Sequence, residues 1–313
     1  MGSGGRDASP AIERRLRATQ RPGSAAGVPP CLTPPSAPPS ADPSADPARQ
    51  RSEGRVLVAV ECAGECSVVR RVAEAGPSRL RFPTTRTGTP EGVLINTAGG
   101  LASGDRMSVD ATVGPGAALV LTSAAAEKVY RSTGPDTRVE TRLAVGAGAR
   151  LEWLPQETIL FDRSRFGRVL AAEVHPDGTA LLYEATVFGR QASGEELRDA
   201  VFRESWRVRR GGRLVYADAI RLAGPVGALL GRPAVANGAR ALATTLYVAP
   251  DAEARLDDAR ACLEGAAAEC GASAWDGILL VRWLARDVAA LHRDVARFMT
   301  SFRGRPLPRV WTT

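Results

Sequence analysis

The sequence predicts a mainly β fold: a stacked two-layer β structure built from repeated hairpins, with two C-terminal α-helices. Three observations predict it. Four segments share one form, a strand, a Gly-containing turn and a second strand, at Met107–Ser123, Arg138–Leu154, Arg168–Ala185 and Trp206–Asp218. In each, a Leu and a Leu or aromatic lie two residues apart, which places both on one face of a strand. Beyond residue 250 the apolar spacing changes from two to three and four, the period of an amphipathic helix.

Along the chain, residues 1–54 form a separate regime. Ten of the 22 prolines fall there, mixed with Ala, Ser and Arg. Apolar content this low does not offset the entropy of ordering, so the segment is expected to be a disordered Pro/Ala/Arg-rich extension. Residues 55–313 then form one β-rich domain. The repeated turns carry Gly116, Gly148, Gly178 and Gly211, spaced 32, 30 and 33 residues apart. The glycines are expected to supply positive φ at the turns. The stripe that follows each is Leu119/Leu121, Leu151/Trp153, Leu181/Tyr183 and Leu214/Tyr216. One hairpin cannot bury its apolar face alone, whereas units stacked side by side share a continuous core. Asp251, after Pro250, is placed to cap a helix running to Gly265 with Leu256, Ala259 and Leu263 on one face. Trp275–Trp283 is expected to be a strand. A second helix follows, ended by Gly304 and Pro306, with Leu284, Val288, Leu291, Val295, Phe298 and Phe302 as its stripe. That stripe can dock on the sheet or seat a helical partner.

The composition excludes several chemistries. Net charge is +7, which first suggests an acidic partner or nucleic acid. Yet 40 of the 41 basic residues are Arg, scattered without a block of like charge, so a mixed solvated surface is favoured over nucleic-acid binding. Five cysteines (31, 62, 66, 262 and 270) are an odd, irregular set, expected to be free thiols. The N-terminus has no apolar core of a signal peptide and no run long enough to span a membrane, so the cytoplasm is the expected location. The single lysine, Lys128, follows Glu127, so no phosphate-binding Gly-Lys-Ser/Thr loop exists. Only His175 and His292 occur: the first in a His-Pro-Asp-Gly turn, expected to be exposed, the second beside the helix stripe. Neither supports a His-based metal site or a nucleophile–His pair. A hydrolase with paired carboxylates stays open, because acids are plentiful, although nothing in the sequence pairs them.

Two stretches stand apart. Leu94-Ile-Asn-Thr-Ala-Gly-Gly-Leu-Ala-Ser-Gly-Asp-Arg106 sets three glycines before an acid, a turn that can present a carboxylate at a rim. Thr122-Ser-Ala-Ala-Ala-Glu-Lys-Val-Tyr-Arg-Ser132 leads small residues into a cluster of charge around Tyr130. Both resemble the signature blocks of the UreD (UreH) family of urease accessory proteins. The resemblance continues through Leu151–Asp162, Glu184–Glu195, Phe202-Arg-Glu-Ser-Trp206 and the tail Phe302–Trp311, covering roughly residues 62–313. The Pro-rich N-terminus lies outside the family core. Asn96-Thr97-Ala98 stands where many members have a His-Pro-Pro type sequence, which removes a possible His ligand.

The resemblance implies a non-enzymatic scaffold with a mostly β fold of stacked layers and two C-terminal helices. It implies apo-urease as one partner and UreF as another. UreF in turn recruits the GTPase UreG for GTP-dependent nickel insertion. It also implies a water-filled passage, no tightly bound cofactor, and nickel that is transient at most. It marks Gly99, Gly100, Gly104, Lys128, Tyr130, Arg131, Gly189 and Arg190 as structural or interface residues. A delivery path needs weak, exchangeable ligands, which carboxylates supply better than His or Cys. Asp105 is the first candidate to lie at such a passage, with Glu127, Glu157 and Glu184 as secondary candidates. The alternative for each is a salt bridge to a nearby Arg such as Arg106, Arg131 or Arg190.

Overall fold

In the computed structural model, residues 51–84, 88–190 and 193–311 are described. The expected extension therefore lies outside the described residues up to position 50, and the first strand, β1 (Glu53–Ala63), starts just inside its predicted boundary. The remaining strands are β2 (Cys66–Ala75), β3 (Ser78–Arg81), β4 (Glu91–Asn96), β5 (Arg106–Val113), β6 (Ala118–Ser123), β7 (Glu127–Val129), β8 (Thr137–Val145), β9 (Arg150–Leu154), β10 (Thr158–Leu160), β11 (Arg165–Val174), β12 (Thr179–Phe188), β13 (Ala200–Arg210), β14 (Arg213–Gly224), β15 (Ala241–Val248), β16 (Glu269–Trp275) and β17 (Ile278–Ala285). Among the described residues three α-helices accompany them: a short α1 (Val226–Leu230), α2 (Leu256–Leu263) and α3 (Val288–Arg303).

The strands form two stacked sheets. The first has the order β14-β13-β11-β8-β5-β1-β2 and the second β16-β17-β15-β12-β9-β6-β4-β3, with β10 and β7 extending the second beside β12. The repeated units and the two-layer stack are as the sequence predicts. The pairing differs in the first three units. Their two strands do not hydrogen-bond to each other; one lies in each sheet, and the three units pair with one another in parallel, strand to matching strand. Only Trp206–Asp218, within β13 and β14, is a true antiparallel hairpin. The physical reason is the apolar stripe. Folding a unit as an arch turns both stripes toward each other across the core, and the free backbone groups then pair with the neighbouring unit. The corners stack in the same way, with Gly146 N–H donating to Val113 O at 2.8 Å and Gly116 N–H to Ala147 O at 2.9 Å. Gly116, Gly148 and Gly211 have positive φ as expected. Gly178 serves instead by close approach, because a Cβ there would meet the Gly146 carbonyl at 2.9 Å.

The core between the sheets carries Leu119, Leu121, Leu151, Trp153, Trp206 and Tyr216. In the third unit the expected stripe is shifted by one residue. Ala180 and Leu182 sit beside Leu151 and Trp153 and face this core. Leu181 and Tyr183 face outward, under the helices. Every residue from Ala180 to Phe188 is buried, so β12 offers no polar face from which its register could be read. Leu214, expected in the core, is 42% exposed on the edge strand β14, beyond the register shift at Val208/Arg209.

The outer face of the second sheet is covered by α3, whose Leu291, Val295, Phe298 and Phe302 form a second core with Leu181, Tyr183 and Trp283. Docking onto the sheet is thus the use of this stripe. Leu284, expected to belong to it, lies in β17. Asp287 caps α3 by accepting from Ala289 N–H at 2.9 Å, and Gly304 ends it in the left-handed conformation. Asp251 caps no helix: α2 begins only at Leu256, and Asp251 accepts the Tyr247 hydroxyl at 2.9 Å. The expected strand Trp275–Trp283 is the turn and second half of a hairpin, β16–β17, reversed at Asp276-Gly277. A third core closes one end of the sandwich around Phe166, Phe188 and Phe202.

Candidate functional site

A cavity of about 280 Å³ lies between the two sheets. Its walls come from inward positions on both: Val139, Thr141, Phe166 and Arg168 on the first sheet, Trp153, Thr158 and Glu184 on the second. Exposed Gly99, Ala124, Ala125 and Lys128 border its outer end. Buried Phe166, Arg168 and Glu184 line its deep end.

Strand register builds the polar lining. Glu127 on β7, Thr158 on β10 and Thr186 on β12 are aligned across three parallel strands. Thr158 and Thr186 hydroxyls accept from Arg168 Nη1 and Nη2, each at 3.1 Å. Arg168 points inward because it shares one face of β11 with Phe166 and Leu170, two residues to either side. It meets two carboxylates. Glu184 accepts from its Nη1 at 2.5 Å, and Glu204, its register neighbour on β13, from Nε at 2.8 Å and also from Nη2. Trp153 Nε1 donates to the other Glu184 oxygen at 3.0 Å. All three charged groups are almost fully buried. Burial pushes the Glu184 carboxyl above the usual carboxylate range; Arg168 opposes this and Glu204 reinforces it. Burial works against the Arg168 charge, but the two glutamates more than offset it and hold its pKa above the ordinary value.

Glu127 lies toward the outer end. Both of its oxygens accept from Asn96 Nδ2, at 3.2 Å. Burial pushes its carboxyl up to about 7, the Asn96 bonds pull it down, and the nearby Asp105 charge adds to the rise. A carboxyl so placed changes charge near neutral pH at the mouth of an internal cavity.

The other sequence candidates lie elsewhere. Asp105 is 3% exposed and does not line the cavity. Its two oxygens accept from Ser52 N–H at 2.7 Å and Ala102 N–H at 2.8 Å, tying the Gly-rich loop to the start of β1. Glu157 also lies off the cavity, on the helix side, 3.9 Å from His292, which stacks on Trp311. None of the candidates pairs with Arg106 or Arg131. Arg190 pairs with Glu195 at 2.9 Å and covers the Phe161 ring. The motif residues lock the rim. Tyr130 donates to Gly99 O at 2.8 Å and lies so close to Gly100 that a Cβ there would meet the ring at 2.4 Å. Gly104 turns beside Arg51, and Gly189 N–H donates to Leu160 O at 2.9 Å. Lys128 and Arg131 are exposed, as is His175. Cys62, Cys66, Cys262 and Cys270 are free thiols; Cys31 lies outside the described residues.

Sequence reasoning missed Arg168 and Glu204. Their signal was present: a charge at an inward position between Phe166 and Leu170, and an opposite charge between Phe202 and Trp206. Among the described residues, no group of three or more His, Cys, Asp or Glu is placed to hold a metal ion. Among them too, no helix is long and apolar enough to cross a membrane.

Comparison with known proteins accounts for the same stretch of chain. The family profile described as UreD urease accessory protein matches residues 52–312. A urease accessory protein UreD from Azorhizobium caulinodans is 52% identical over 262 residues, covering 84% of this chain and 97% of the relative. One from a Methylobacterium species is 54% identical over 270 residues, with 84% and 96% covered. One from Rhodopseudomonas palustris is 44% identical over 261 residues, with 83% and 93% covered. The match spans both sheets, the cavity between them and the C-terminal helices, and on this evidence the chain belongs to the UreD family of urease accessory proteins.

Proposed function

We propose that this chain is a non-catalytic maturation factor for urease. It bridges the apoenzyme and UreF, with UreG recruited through UreF, and nickel reaches the enzyme in a GTP-dependent step. The observation that carries the reading is the family match over nearly the whole β-rich domain. The interlayer cavity is the candidate for a route. The interlayer cavity presents carboxylate and hydroxyl oxygens, from Glu127, Thr141, Thr158 and Glu184, to a cargo ion. Oxygen ligands hold nickel(II) more weakly than His or Cys sets, which suits transit rather than storage. Asp105 supports the route indirectly, by fixing the loop that borders it.

The first test is urease activity and bound nickel in cells carrying the whole urease operon, with and without this gene. Nickel-poor, inactive urease that recovers on complementation is expected; fully loaded urease without the gene overturns the assignment. The route is tested by Thr141→Phe, which places a ring in the cavity. Reduced urease activation with apo-urease and UreF binding retained is the expected result. Full activation by that variant leaves a scaffold that brings partners together without contacting nickel.

A further inference from the structure

A second cavity, of about 370 Å³, opens where the second sheet meets the end of α3. That volume falls within the roughly 300–1,000 Å³ common for small-molecule sites. Four arginines from four parts of the chain line it: Arg150 at the start of β9, Arg255 just before α2, Arg303 at the end of α3 and Arg305 after it. Among the described residues, Glu152 is the only acid in the lining.

The acid is already committed. Glu152 Oε2 accepts from Arg303 Nε at 2.9 Å and Nη2 at 2.7 Å, and Oε1 accepts from Arg305. Arg303 and Arg255 have a structural task as well. Arg303 Nη1 donates to Pro306 O at 2.9 Å, and Arg255 lies on the Phe302 ring at 3.8 Å and donates to the Phe302 carbonyl. Arg255 thereby satisfies a carbonyl at the negative end of α3, and Arg303 stands in that helix's last turn. Arg150 has no such task. Its guanidinium makes one hydrogen bond, a 3.4 Å contact with Thr89 Oγ1, and no carboxylate is within ion-pair distance of it among the described residues. Of the other nearby acids, Asp251 takes the Tyr247 hydroxyl, and Glu91 is pushed toward its neutral form by burial. Burial, and then the Arg305 charge, hold the Arg150 guanidinium below its ordinary pKa. A half-buried cation facing other cations is the arrangement that a bound anion relieves.

We propose that this cavity binds a small oxyanion of the phosphate class, held by Arg150 and Arg305 with Arg255 behind them. Planar guanidinium forks suit such a ligand, because each offers paired N–H donors to paired oxygens. The bound anion would join β9, the turn before α2 and the chain after α3. The inference does not depend on the role in urease maturation.

The test titrates the purified full chain with inorganic phosphate against chloride at constant ionic strength, read by thermal unfolding and calorimetry. A saturable rise in Tm with phosphate is expected. Arg150→Gln should lose that rise and weaken phosphate by at least about tenfold. In chloride its Tm should equal or exceed the parent value, because a like-charge repulsion is removed. Arg55→Gln, on the outer face of the first sheet, should keep the full response. Arg305→Gln provides a second reading of the site and should weaken phosphate as well. Identical behaviour of the parent chain in phosphate and chloride, or an undiminished phosphate response in Arg150→Gln, overturns the proposal.

Discussion

At the scale of single residues, three charged side chains have distinct consequences. Glu127 has its carboxyl raised from an ordinary 4.5 to about 7 in the folded chain. Below 4.5 both states hold the proton. Between the two values the unfolded chain releases it and the folded chain does not. The associated stability is therefore complete below 4.5 and lost as pH rises through about 7. Glu127→Gln should gain stability over the parent between pH 5 and pH 8, by up to roughly 3 kcal/mol, measured by urea unfolding at each pH. Arg168 behaves differently. Arg168→Met would leave two buried carboxylates facing each other, at a cost of about 3–5 kcal/mol. Adding Glu184→Gln and Glu204→Gln should restore most of that loss in the same unfolding assay. Asp105→Ala would free the N–H groups of Ser52 and Ala102, costing about 1–3 kcal/mol, with hydrogen exchange at both amides accelerated. The sequence made Asp105, Glu127 and Glu184 visible through the motifs around them. It did not reveal that Glu184 answers to Arg168, because that contact crosses from one sheet to the other and has no short-range spacing.

Legibility at the scale of elements depended on whether one face of each was polar. The α3 stripe was readable because its opposite face carries Arg293, Arg297 and Thr300. Phe298, at the centre of that stripe, is fully buried between Trp283 and Phe302. Phe298→Ala should cost about 3–5 kcal/mol by thermal or denaturant unfolding. Loss of the cap in Asp287→Ala should cost about 1 kcal/mol. β12 was misaligned by one residue, since it is buried on both faces and all its positions look alike. The start of α2 was placed too early, because Asp251 after Pro250 has the form of a cap yet spends its carboxylate on Tyr247. The β16–β17 hairpin was half read. Its Asp276-Gly277 turn is a strong hairpin signal, and β16, with alternating small and polar residues, gives a weak strand pattern.

For the molecule as a whole, the repeat of about thirty residues was legible, and so was the two-layer stack it builds. The arch was not, because a paired hairpin and an arch put the same apolar stripe on the same strand. Only the parallel register between units distinguishes them. That register also explains the cavity. Apolar side chains fill the interlayer space along most of the stack, while Thr141, Thr158, Glu127 and Glu184 take inward positions toward one end. Polar side chains there keep the layers from packing dry.

The flanks of the stack have a consequence of their own. Parallel pairing in the first sheet runs from β1 to β13, and in the second from β4 to β12. Outside those limits the chain direction reverses: β2 and β14 border the first run, β3 and β15 the second, all antiparallel to their neighbours. A ladder of parallel repeats is open-ended by nature, because each copy offers the next one a matching template. The reversed strands withdraw that template at all four ends. A further unit laid down in the repeat's own direction would have to pair antiparallel with these strands, so the in-register parallel stacking that defines the repeat stops at them.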